Sequence, residues 1–449
     1  MDDRPTRPER DETARPAPSA EVDSGHATGV DADGPGNAQA RAGGRVRRVA
    51  RAAGRTLLAL TSAVALTATG IAWSTAGRFN ENVTTTNVLD DIPNSGPEDD
   101  GATDILLVGN DSRTDAQGNP LPQSVLELLR TESTDTLNTD TLILLRVPHN
   151  GGRAHAVSIP RDTYVPIPNY REDKINAAYG ATKFRVAQRM RDAGERDEAK
   201  IATGSDQEGR RALVQAVQEL TGSRVDHYAE VNLYGFYLLT EALGGVEVCL
   251  NQATSDPNSG ASFRAGNQTI SGGDALAFVR QRHGLPRGDL DRIVRQQAFM
   301  ASAANRVLSS GTLTDRGKLD GLLQAAQKSV VIDERWDVLR FAQRMQEIAG
   351  GSVRFVTIPV EAVGARNERG QNIITVDREK VHRFVAGLAR GAAAEPARPG
   401  ASTSSPAAAP GTDRLTGPRA FRPEGEPVPK SPAPPAGEPI TTGGVPCVN

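Results

Sequence analysis

The segment from Ser271 to Gln297 is the part of this chain richest in arginine. Five guanidinium groups fall within sixteen residues of it: Arg280, Arg282, Arg287, Arg292 and Arg295. Arginine presents a planar fork of donors that matches phosphate oxygens, and it stays charged in any environment. The spacing therefore predicts a site for a phosphate or pyrophosphate group. The alternative is a solvated helix whose charges pair with one another three and four residues apart.

A helix that begins after Gly288 would separate two kinds of side chain. Its polar arc would carry Asp289, Arg292, Arg295 and Gln296. The opposite arc would carry Leu290, Ile293, Val294 and Ala301. One face is thus suited to packing against a core and the other to binding anions.

A hairpin is predicted around the pair Asn150 and Gly151, which favours a two-residue type I′ turn. The pair lies between two apolar runs, so the flanking strands should be antiparallel. Counting outward from the turn places Asp140 opposite Arg161 at the far end of the hairpin. Asp162 follows directly, so carboxylates and a guanidinium meet at one edge of the sheet.

A second polar cluster follows the apolar run Ile105 to Val108 and contains Asp111 and Arg113. If this strand lies antiparallel beside the hairpin, the cluster shares an edge with Asp140 and Arg161. Mg²⁺ commonly bridges one or two carboxylates to substrate phosphates, which makes Asp111 and Asp140 candidate metal ligands. The alternative for each aspartate is a turn cap or an ion pair with a neighbouring arginine.

Both strands and helices are needed to position these side chains. The apolar runs that predict buried strands are Ile105–Val108, Leu142–Val147, Ala154–Ile159, Val246–Leu250 and Val353–Pro359, with a weaker run at Val225–Val231. Helical patterns cover about residues 208–221, 233–243, 273–281, 289–309, 334–348 and 378–390. This mixture predicts a layered α/β domain. The polar segments 114–137 and 181–208 are predicted to be exposed insertions.

The two ends of the chain differ in composition from the middle. Residues 1–55 are polar and end in a basic stretch, and residues 391–449 hold 13 of the 29 prolines. Neither segment can bury enough apolar surface to offset its ordering entropy. We therefore predict that both are disordered.

Residues 56–77 contain no charged side chain and are long enough to cross a hydrocarbon layer of about 30 Å as a helix. Six arginines between residues 41 and 55 precede this stretch. The positive-inside rule then keeps the N-terminus cytoplasmic and places everything after a linker at residues 78–102 outside. A cleaved signal peptide is the alternative to a transmembrane anchor.

Charge and cysteine content limit the function further. The formal net charge of -3 gives no general affinity for nucleic acid, so any anion site must be local. The two cysteines, Cys249 and Cys447, both fall in the predicted outer part, where a disulfide between them would persist.

Several motifs occur together, in order, within residues 103–300. They are ILLVGNDSR, NTDT before LILLRV, AVSIPRDTYVPIP, KINAAYG and ALAFVRQRHGLPRGDLDRIVRQQ. In this combination the chain resembles the LytR-CpsA-Psr family of cell-envelope proteins. The resemblance implies an α-β-α layered domain with a central mixed sheet over residues 103–390. It also implies transfer of a glycopolymer from a polyprenyl-pyrophosphate carrier to peptidoglycan through a phosphodiester. Asn138 is a departure, since many relatives carry a cation there.

The resemblance also implies roles for individual residues. Asp111 and Asp140 would hold Mg²⁺, with Mn²⁺ as an alternative. By this resemblance the pyrophosphate would contact Arg161, Arg282, Arg292 and Gln296. The arginine spacing and the polar cluster after Val108 add Arg113, Arg280 and Arg295 as predicted contacts. Arg161 and Arg292 would stabilise the charge of the transition state, and Asp162 is the candidate base. Lys174 and Asn176, in KINAAY, are expected to order the wall of the site.

Other functions share some of these features. A hydrolase would use the same site with water in place of the acceptor, and a lipid or polymer receptor would bind without turnover. A DNA-binding regulator is disfavoured, because the predicted anchor places the arginines on the other side of the membrane from DNA. The expected partners are therefore the lipid-linked glycopolymer, peptidoglycan and the membrane, and no nucleic acid.

Overall fold

Strands β2 (Ala102–Asn110) and β3 (Thr139–Pro148) lie at the centre of an eight-stranded mixed sheet in the computed structural model of this chain. The structure describes residues 83–90, 92, 99–132, 137–285, 288–308, 315–347, 353–390, 440–442 and 444–449. Both central strands are apolar along most of their length and largely buried, as expected for strands covered on both faces.

The sheet has the order β1-β12-β7-β2-β3-β4-β13-β16. Its other strands are β1 (Thr84–Thr86), β4 (Ala154–Ile159), β7 (His227–Val231), β12 (Val330–Asp333), β13 (Val353–Thr357) and β16 (Ile440–Thr441). Parallel pairs join β1 to β12, β2 to β7 and β4 to β13, and the other neighbours are antiparallel. The predicted mixed sheet is confirmed.

Helices cover both faces of this sheet. They are α1 (Gln123–Leu128), α2 (Ala177–Asp192), α3 (Glu198–Thr221), α4 (Leu233–Ala242), α5 (Gly272–Arg280), α6 (Asp289–Leu308), α7 (Arg316–Ser329), α8 (Val338–Glu347) and α9 (Arg378–Ala389). Helices α2, α3 and α9 contribute side chains such as Tyr179, Leu213 and Val385 to the core on one face. Helices α6 and α8 contribute Ala301 and Met345 to the core on the other. The layered α-β-α architecture is confirmed.

Smaller sheets complete the domain. One contains β11 (Gly266–Ile270), β8 (Val246–Leu250) and β17 (Cys447–Val448) in that order. The two-stranded sheets pair β5 (Tyr164–Pro166) with β6 (Glu172–Lys174), β9 (Thr254–Asp256) with β10 (Ala261–Phe263), and β14 (Ala362–Arg366) with β15 (Asn372–Thr375). The sheet of β5 and β6 follows β4 directly and so lies next to the edge where the predicted site residues gather.

The hairpin of β3 and β4 has the predicted register but not the predicted turn. Leu142 faces Ile159 in the structure, which is the alignment obtained by counting outward from residues 150 and 151. A type I′ turn needs positive φ at both central residues, and only Gly151 has it, at 73°. The Asn150 side chain instead accepts a hydrogen bond from the main-chain N–H of Gly152 at 2.9 Å. The type I′ prediction was wrong because this local side-chain bond stabilises a different turn.

The predicted insertion at residues 181–208 is wrong. These residues belong to helices α2 and α3, which pack together through buried side chains such as Val186 and Ile201. Asp197 caps α3 by accepting from the main-chain N–H groups of Ala199 and Lys200. The polar residues lie on the outer faces of the two helices. Because the apolar stripe between them is narrow, its helical spacing was not recognised in the sequence. The predicted insertion at 114–137 contains helix α1, and residues 133–136 lie outside the described residues.

Both domain boundaries differ from the prediction. Strand β1 lies within the predicted linker 78–102, and strands β16 and β17 lie within the predicted disordered tail 391–449. A disulfide joins Cys249 to Cys447, with their Cα atoms 4.3 Å apart. The prediction of disorder was therefore wrong for residues 440–442 and 444–449, because strands of two or three residues are too short to show periodicity.

The predicted anchor at residues 56–77, the basic segment before it and residues 391–439 lie outside the described part of the chain. Among the helices that the structure describes, none combines the length and apolarity needed to cross a membrane.

Candidate functional site

Asp111 lies just beyond the end of β2, where an irregularity in the pairing with β3 shifts the register by one residue. Its Oδ1 accepts the main-chain N–H of Asn138 at 2.7 Å, and its own main-chain N–H donates to the Asn138 carbonyl at 3.0 Å. Asn138, where a cation was expected, therefore fixes the Asp111 carboxylate without adding charge. The irregularity follows the regular ladder of β2 and redirects the chain at the edge of the sheet.

The first strong ion pair of the site links β3 to β4. Arg161 Nη1 lies 2.5 Å from Asp140 Oδ1, as the predicted register requires. Arg161 Nε lies 3.7 Å from Asp289 Oδ1 and 4.0 Å from Asp162 Oδ2. Burial alone would lower the pKa of Arg161, but the charge and hydrogen bond of Asp140 raise it above its usual value. Arg161 therefore remains cationic among three carboxylates.

The last residue of β6 and the residues that follow it form one wall of the site. Lys174 Nζ lies 3.0 Å from Asp162 Oδ1, which fixes the carboxylate next to Arg161. The main-chain N–H of Asn176 donates to the Arg161 carbonyl at 3.2 Å, and the Asn176 carbonyl accepts from the Thr139 N–H at 3.3 Å. The predicted wall-ordering role of Lys174 and Asn176 agrees with these contacts.

Helices α5 and α6 bring further arginines to the same edge. Arg292 is 2% exposed, and its Nη2 lies 2.8 Å from Asp289 Oδ1 one turn earlier on α6. Arg282 follows the end of α5 and is exposed, and its charge interacts with those of Arg161 and Asp140. Asp289 was predicted on the polar arc of this helix, and its pair with Arg292 matches the alternative in which charges three residues apart pair with each other.

Two more arginines of the site donate hydrogen bonds to neutral oxygen atoms of the loop that follows α1. Arg280 Nη1 donates to the Leu129 carbonyl at 3.3 Å, and Arg113 Nη2 donates to Thr131 Oγ1 at 3.2 Å. Between these acceptors, Arg130 has a φ of 51°, a left-handed conformation that is rare for residues other than glycine, asparagine and aspartate. Arg130 is held by the Asp274 carboxylate at 2.6 Å. No sequence signal indicated this loop.

The cluster contains more cations than carboxylates. Its cations are Arg113, Arg161, Lys174, Arg280, Arg282 and Arg292, and its carboxylates are Asp111, Asp140, Asp162 and Asp289. Burial would raise the pKa of Asp140, but the nearby arginine charges and the Arg161 hydrogen bond lower it. Burial lowers the pKa of Arg292 to about 10, because the charge of Asp289 only partly opposes it. Arginine carries its charge in proteins, so the excess of cations makes the cluster attract anions.

Three guanidinium groups of this cluster each have an unsatisfied donor. The Nε atoms of Arg113, Arg161 and Arg292 are buried and have no hydrogen-bond acceptor within the described part of the chain. A buried donor without an acceptor costs about 1 to 3 kcal/mol, more for a charged group. Oxygen-rich anions such as phosphate would satisfy these donors.

Two predicted phosphate contacts lie elsewhere. Arg295 is 1% exposed and donates to Gln281 Oε1 at 2.6 Å and to the main-chain oxygen of Asn449, away from the cluster. Its placement on the anion-binding arc was wrong, because the end of α5 and the last residues of the chain cover that side of α6. Gln296 Nε2 donates to the Val279 carbonyl at 3.2 Å and so joins α6 to α5. A phosphate contact by Gln296 remains a prediction.

The carboxylates suit only a metal that takes few protein ligands. The described residues contain no group of three or more histidine, cysteine, aspartate or glutamate side chains that could hold a metal ion. Burial and the charge of Arg113 lower the pKa of Arg280, and the charges of Asp140 and Asp111 oppose that shift. Two carboxylates fit Mg²⁺, which keeps waters and substrate phosphates as its remaining ligands. They would not fit a cation that needs a full protein cage.

Comparison with known proteins gives matches over most of the chain. The family model LytR_cpsA_psr matches residues 66–389. The cell wall biosynthesis protein LcpA of Corynebacterium glutamicum is 49% identical over 336 residues, which cover 74% of this chain and 64% of that protein. The probable cell wall biosynthesis protein LcpB of the same organism is 33% identical over 278 residues, 61% of this chain and 58% of that protein.

A third relative carries a more specific name. The polyisoprenyl-teichoic acid–peptidoglycan teichoic acid transferase TagU of Oceanobacillus iheyensis is 31% identical over 264 residues, which cover 59% of this chain and 68% of that protein. The chain spans less than two thirds of the length of the two corynebacterial relatives.

Proposed function

This chain belongs to the LytR-CpsA-Psr family, and we propose that it is a phosphotransferase that attaches a glycopolymer to peptidoglycan. The donor is a glycopolymer linked to a polyprenyl carrier through pyrophosphate. The product is a phosphodiester between the polymer and a hydroxyl group of the peptidoglycan glycan. Transfer of teichoic acid to peptidoglycan is the activity in the name of TagU, which supports this reaction class.

The observation that carries the proposal is the set of buried, unsatisfied Nε donors on Arg113, Arg161 and Arg292. Phosphoryl transfer needs positioning and neutralisation of charge more than covalent assistance. A pyrophosphate among these donors would accept from several guanidinium groups at once. Arg280 and Arg282 add charge without a carboxylate partner at ion-pair distance in the described structure, so they are available to the same ligand.

The transfer reaction requires a base, and a carboxylate of the cluster can provide it. The acceptor hydroxyl oxygen forms a bond to the phosphorus atom next to the polymer, and the bond from that phosphorus to the bridging oxygen breaks. Polyprenyl phosphate leaves with the electron pair, and the hydroxyl proton passes to a base. Asp162, held at 3.0 Å by Lys174, is our candidate for that base. Asp289 is the alternative, because its buried Oδ2 has no hydrogen-bond partner among the described residues.

Asp111 and Asp140 are the residues that would hold Mg²⁺, and the bound ion would neutralise charge on the phosphate oxygens. Asn138 keeps the Asp111 carboxylate in place, and Arg161 does the same for Asp140. Arg161 and Arg292 stabilise the negative charge that the phosphoryl group carries during transfer. The enzyme acts in the cell envelope, and we further propose that residues 56–77 anchor it, with the catalytic domain outside the membrane.

The test uses the full-length protein in detergent with a synthetic polyprenyl-pyrophosphoryl saccharide, a peptidoglycan oligomer and Mg²⁺. Mass spectrometry reads the products, with and without EDTA. A saccharide phosphate attached to the oligomer, absent with EDTA, is the expected result. Release of saccharide phosphate without attachment would identify a hydrolase instead. Tight binding of the lipid without turnover would identify a receptor.

A further inference from the structure

Arg295 and Gln281 form a buried pair behind the arginine cluster. Gln281 is 0% exposed and Arg295 is 1% exposed, so both side chains are removed from water. Arg295 Nη1 donates to Gln281 Oε1 at 2.6 Å. The Arg295 guanidinium also lies over the ring of Phe278, 5.2 Å from its centroid. This arginine therefore has a fixed position and no access to a ligand in the cluster.

Gln281 in turn fixes the segment that carries two site arginines. Its Nε2 donates to Thr254 Oγ1 at 2.6 Å and to the His283 carbonyl at 3.0 Å. Gln281 has φ of −55° and ψ of 134°, which ends α5 at Arg280. Gln281 is buried, whereas Arg280 is half-buried and Arg282 is exposed. The charges of both arginines interact with that of Asp140 in the cluster.

The last residues of the chain supply the other acceptor for Arg295. Residues 444–449, here called the C-terminal clip, include β17, which pairs in parallel with β8. The disulfide from Cys447 to Cys249 and the hydrogen bond from the Asn251 N–H to the Val448 carbonyl at 2.8 Å hold the clip on β8. Arg295 Nε donates to the main-chain oxygen of Asn449. A continuous series of contacts therefore connects the disulfide, through Asn449, Arg295 and Gln281, to the segment that carries Arg280 and Arg282.

We propose that Arg295 is a positioning residue, which the C-terminal clip holds in place so that Gln281 directs Arg280 and Arg282 toward the phosphate ligand. The proposal rests on the proposed function in that Arg280 and Arg282 bind phosphate. Burial lowers the pKa of Arg295 to about 10, with the charge of Asp291 opposing the shift, so the group remains a cation at neutral pH. Its guanidinium donates to both acceptors through separate N–H groups, whereas a methionine side chain has no donor.

The test uses the full-length protein and two measurements. Hydrogen–deuterium exchange followed by mass spectrometry reports the order of residues 279–284. Calorimetric titration with inorganic pyrophosphate and Mg²⁺ reports the affinity of the cluster. The variants are Arg295→Met, Gln281→Leu, their combination, Arg295→Lys and Cys447→Ser. Arg306→Met is the matched control, because Arg306 also lies on α6 and donates to main-chain carbonyls, those of Leu243 and Gly244, away from the cluster.

Arg295→Met and Gln281→Leu should each speed exchange in residues 279–284 and weaken pyrophosphate binding about tenfold, the size expected for a lost hydrogen bond to a charged group. The double variant should lose less affinity for pyrophosphate than the two single losses combined, because both changes remove the shared contact from Arg295 to Gln281. Arg295→Lys should recover part of the affinity. Cys447→Ser should change both measurements in the same direction by a smaller factor, and Arg306→Met should change neither.

Unchanged exchange in folded Arg295→Met or Gln281→Leu would overturn the positioning role, whatever the affinity measurements show. Faster exchange with wild-type pyrophosphate affinity would also overturn it, since the order of this segment would not matter to the ligand. If the wild-type protein fails to bind pyrophosphate, the proposed function is contradicted, and the exchange data alone decide whether Arg295 orders the segment.

Discussion

Arg161 and Asp140 face each other at the ends of β4 and β3, with Nη1 of the arginine 2.5 Å from Oδ1 of the aspartate. Each of them also interacts with residues of α6 or of the loop before it, because Asp289 lies near Arg161 and the charges of Arg282 and Arg292 act on Asp140. The pair is therefore the point where the sheet meets the arginine-rich segment, and its loss should affect both sides of the site.

Replacing Arg161 with alanine should lower the rate of polymer transfer about 10² to 10³-fold, the typical effect of removing one donor that stabilises transition-state charge. Arg161→Lys should recover only part of the rate, since lysine lacks the planar fork. The measurement is the rate of saccharide-phosphate attachment by mass spectrometry. Arg171→Ala is the control, because Arg171 is half-exposed and pairs with Asp173 outside the cluster. Wild-type activity in folded Arg161→Ala would rule out its assigned role.

Removal of divalent metal should abolish transfer, and added Mg²⁺ should restore it. Asp111→Asn and Asp140→Asn should each raise the Mg²⁺ concentration needed for half-maximal activity by about tenfold or more, because an amide is a weaker ligand than a carboxylate for this cation. Glu361→Gln is the control, since Glu361 lies in an exposed ion pair with Lys380. A transfer rate that is insensitive to EDTA would contradict the assignment of both aspartates.

At Arg130, glycine should be a better replacement than alanine. Both variants lose the ion pair with Asp274 and the hydrogen bond to the Gly260 carbonyl, but only glycine adopts a φ of 51° without steric cost. Arg130→Gly should therefore be more stable than Arg130→Ala by about 1 kcal/mol, measured by urea unfolding.

Arg335 provides the comparison for this experiment, because it also forms an exposed ion pair, with Asp90, but does not have positive φ. There the alanine variant should be at least as stable as the glycine variant. Equal stability of the two Arg130 variants would show that the left-handed conformation relaxes without cost.

His155 should make the protein less stable in mild acid. Burial and the charges of Arg354, Arg153 and Arg146 lower its pKa to about 4, from an ordinary value of 6.5. Between these two values the unfolded chain binds a proton that the folded chain does not, so the free energy of unfolding should fall as pH decreases from about 6.5 to about 4.

This residue's contribution to that fall should be about 2 to 3 kcal/mol, and His155→Gln should remove it. Urea unfolding at pH 7.0 and pH 4.5 measures the difference. The same slope in His155→Gln and the wild type would refute the contribution of His155.

Local sequence information was sufficient where the contacts are local or follow from register. The pairing of Asp140 with Arg161 came from counting outward from residues 150 and 151, because side chains of paired strands repeat with a fixed period. Asp289 and Arg292 are one helical turn apart, which is also visible in the sequence. Strands β2, β3, β4, β8 and β13 were predicted because each contains a continuous apolar run, as a buried strand does.

Contacts between distant segments could not be predicted in this way. Arg295 has the same residue type and nearly the same helical phase as Arg292, yet its acceptors are Gln281 and Asn449. The loop that holds Arg113 and Arg280 depends on the conformation of Arg130, a residue type that does not favour positive φ. Helix α2 and residues 198–207 of α3 were missed because their outer faces are highly charged.

The C-terminal clip also makes one part of the fold wait for a residue far along the chain. Cys447 follows Cys249 by 198 residues, so strand β8 is synthesised long before its covalent partner exists. Until residues 444–449 have been made, the disulfide cannot form and the acceptor that Asn449 provides to Arg295 is missing. Formation of the disulfide is therefore a maturation step, which can take seconds to hours depending on the oxidant. Newly made protein should acquire its final affinity for phosphate ligands on that time scale rather than on the faster one of chain folding.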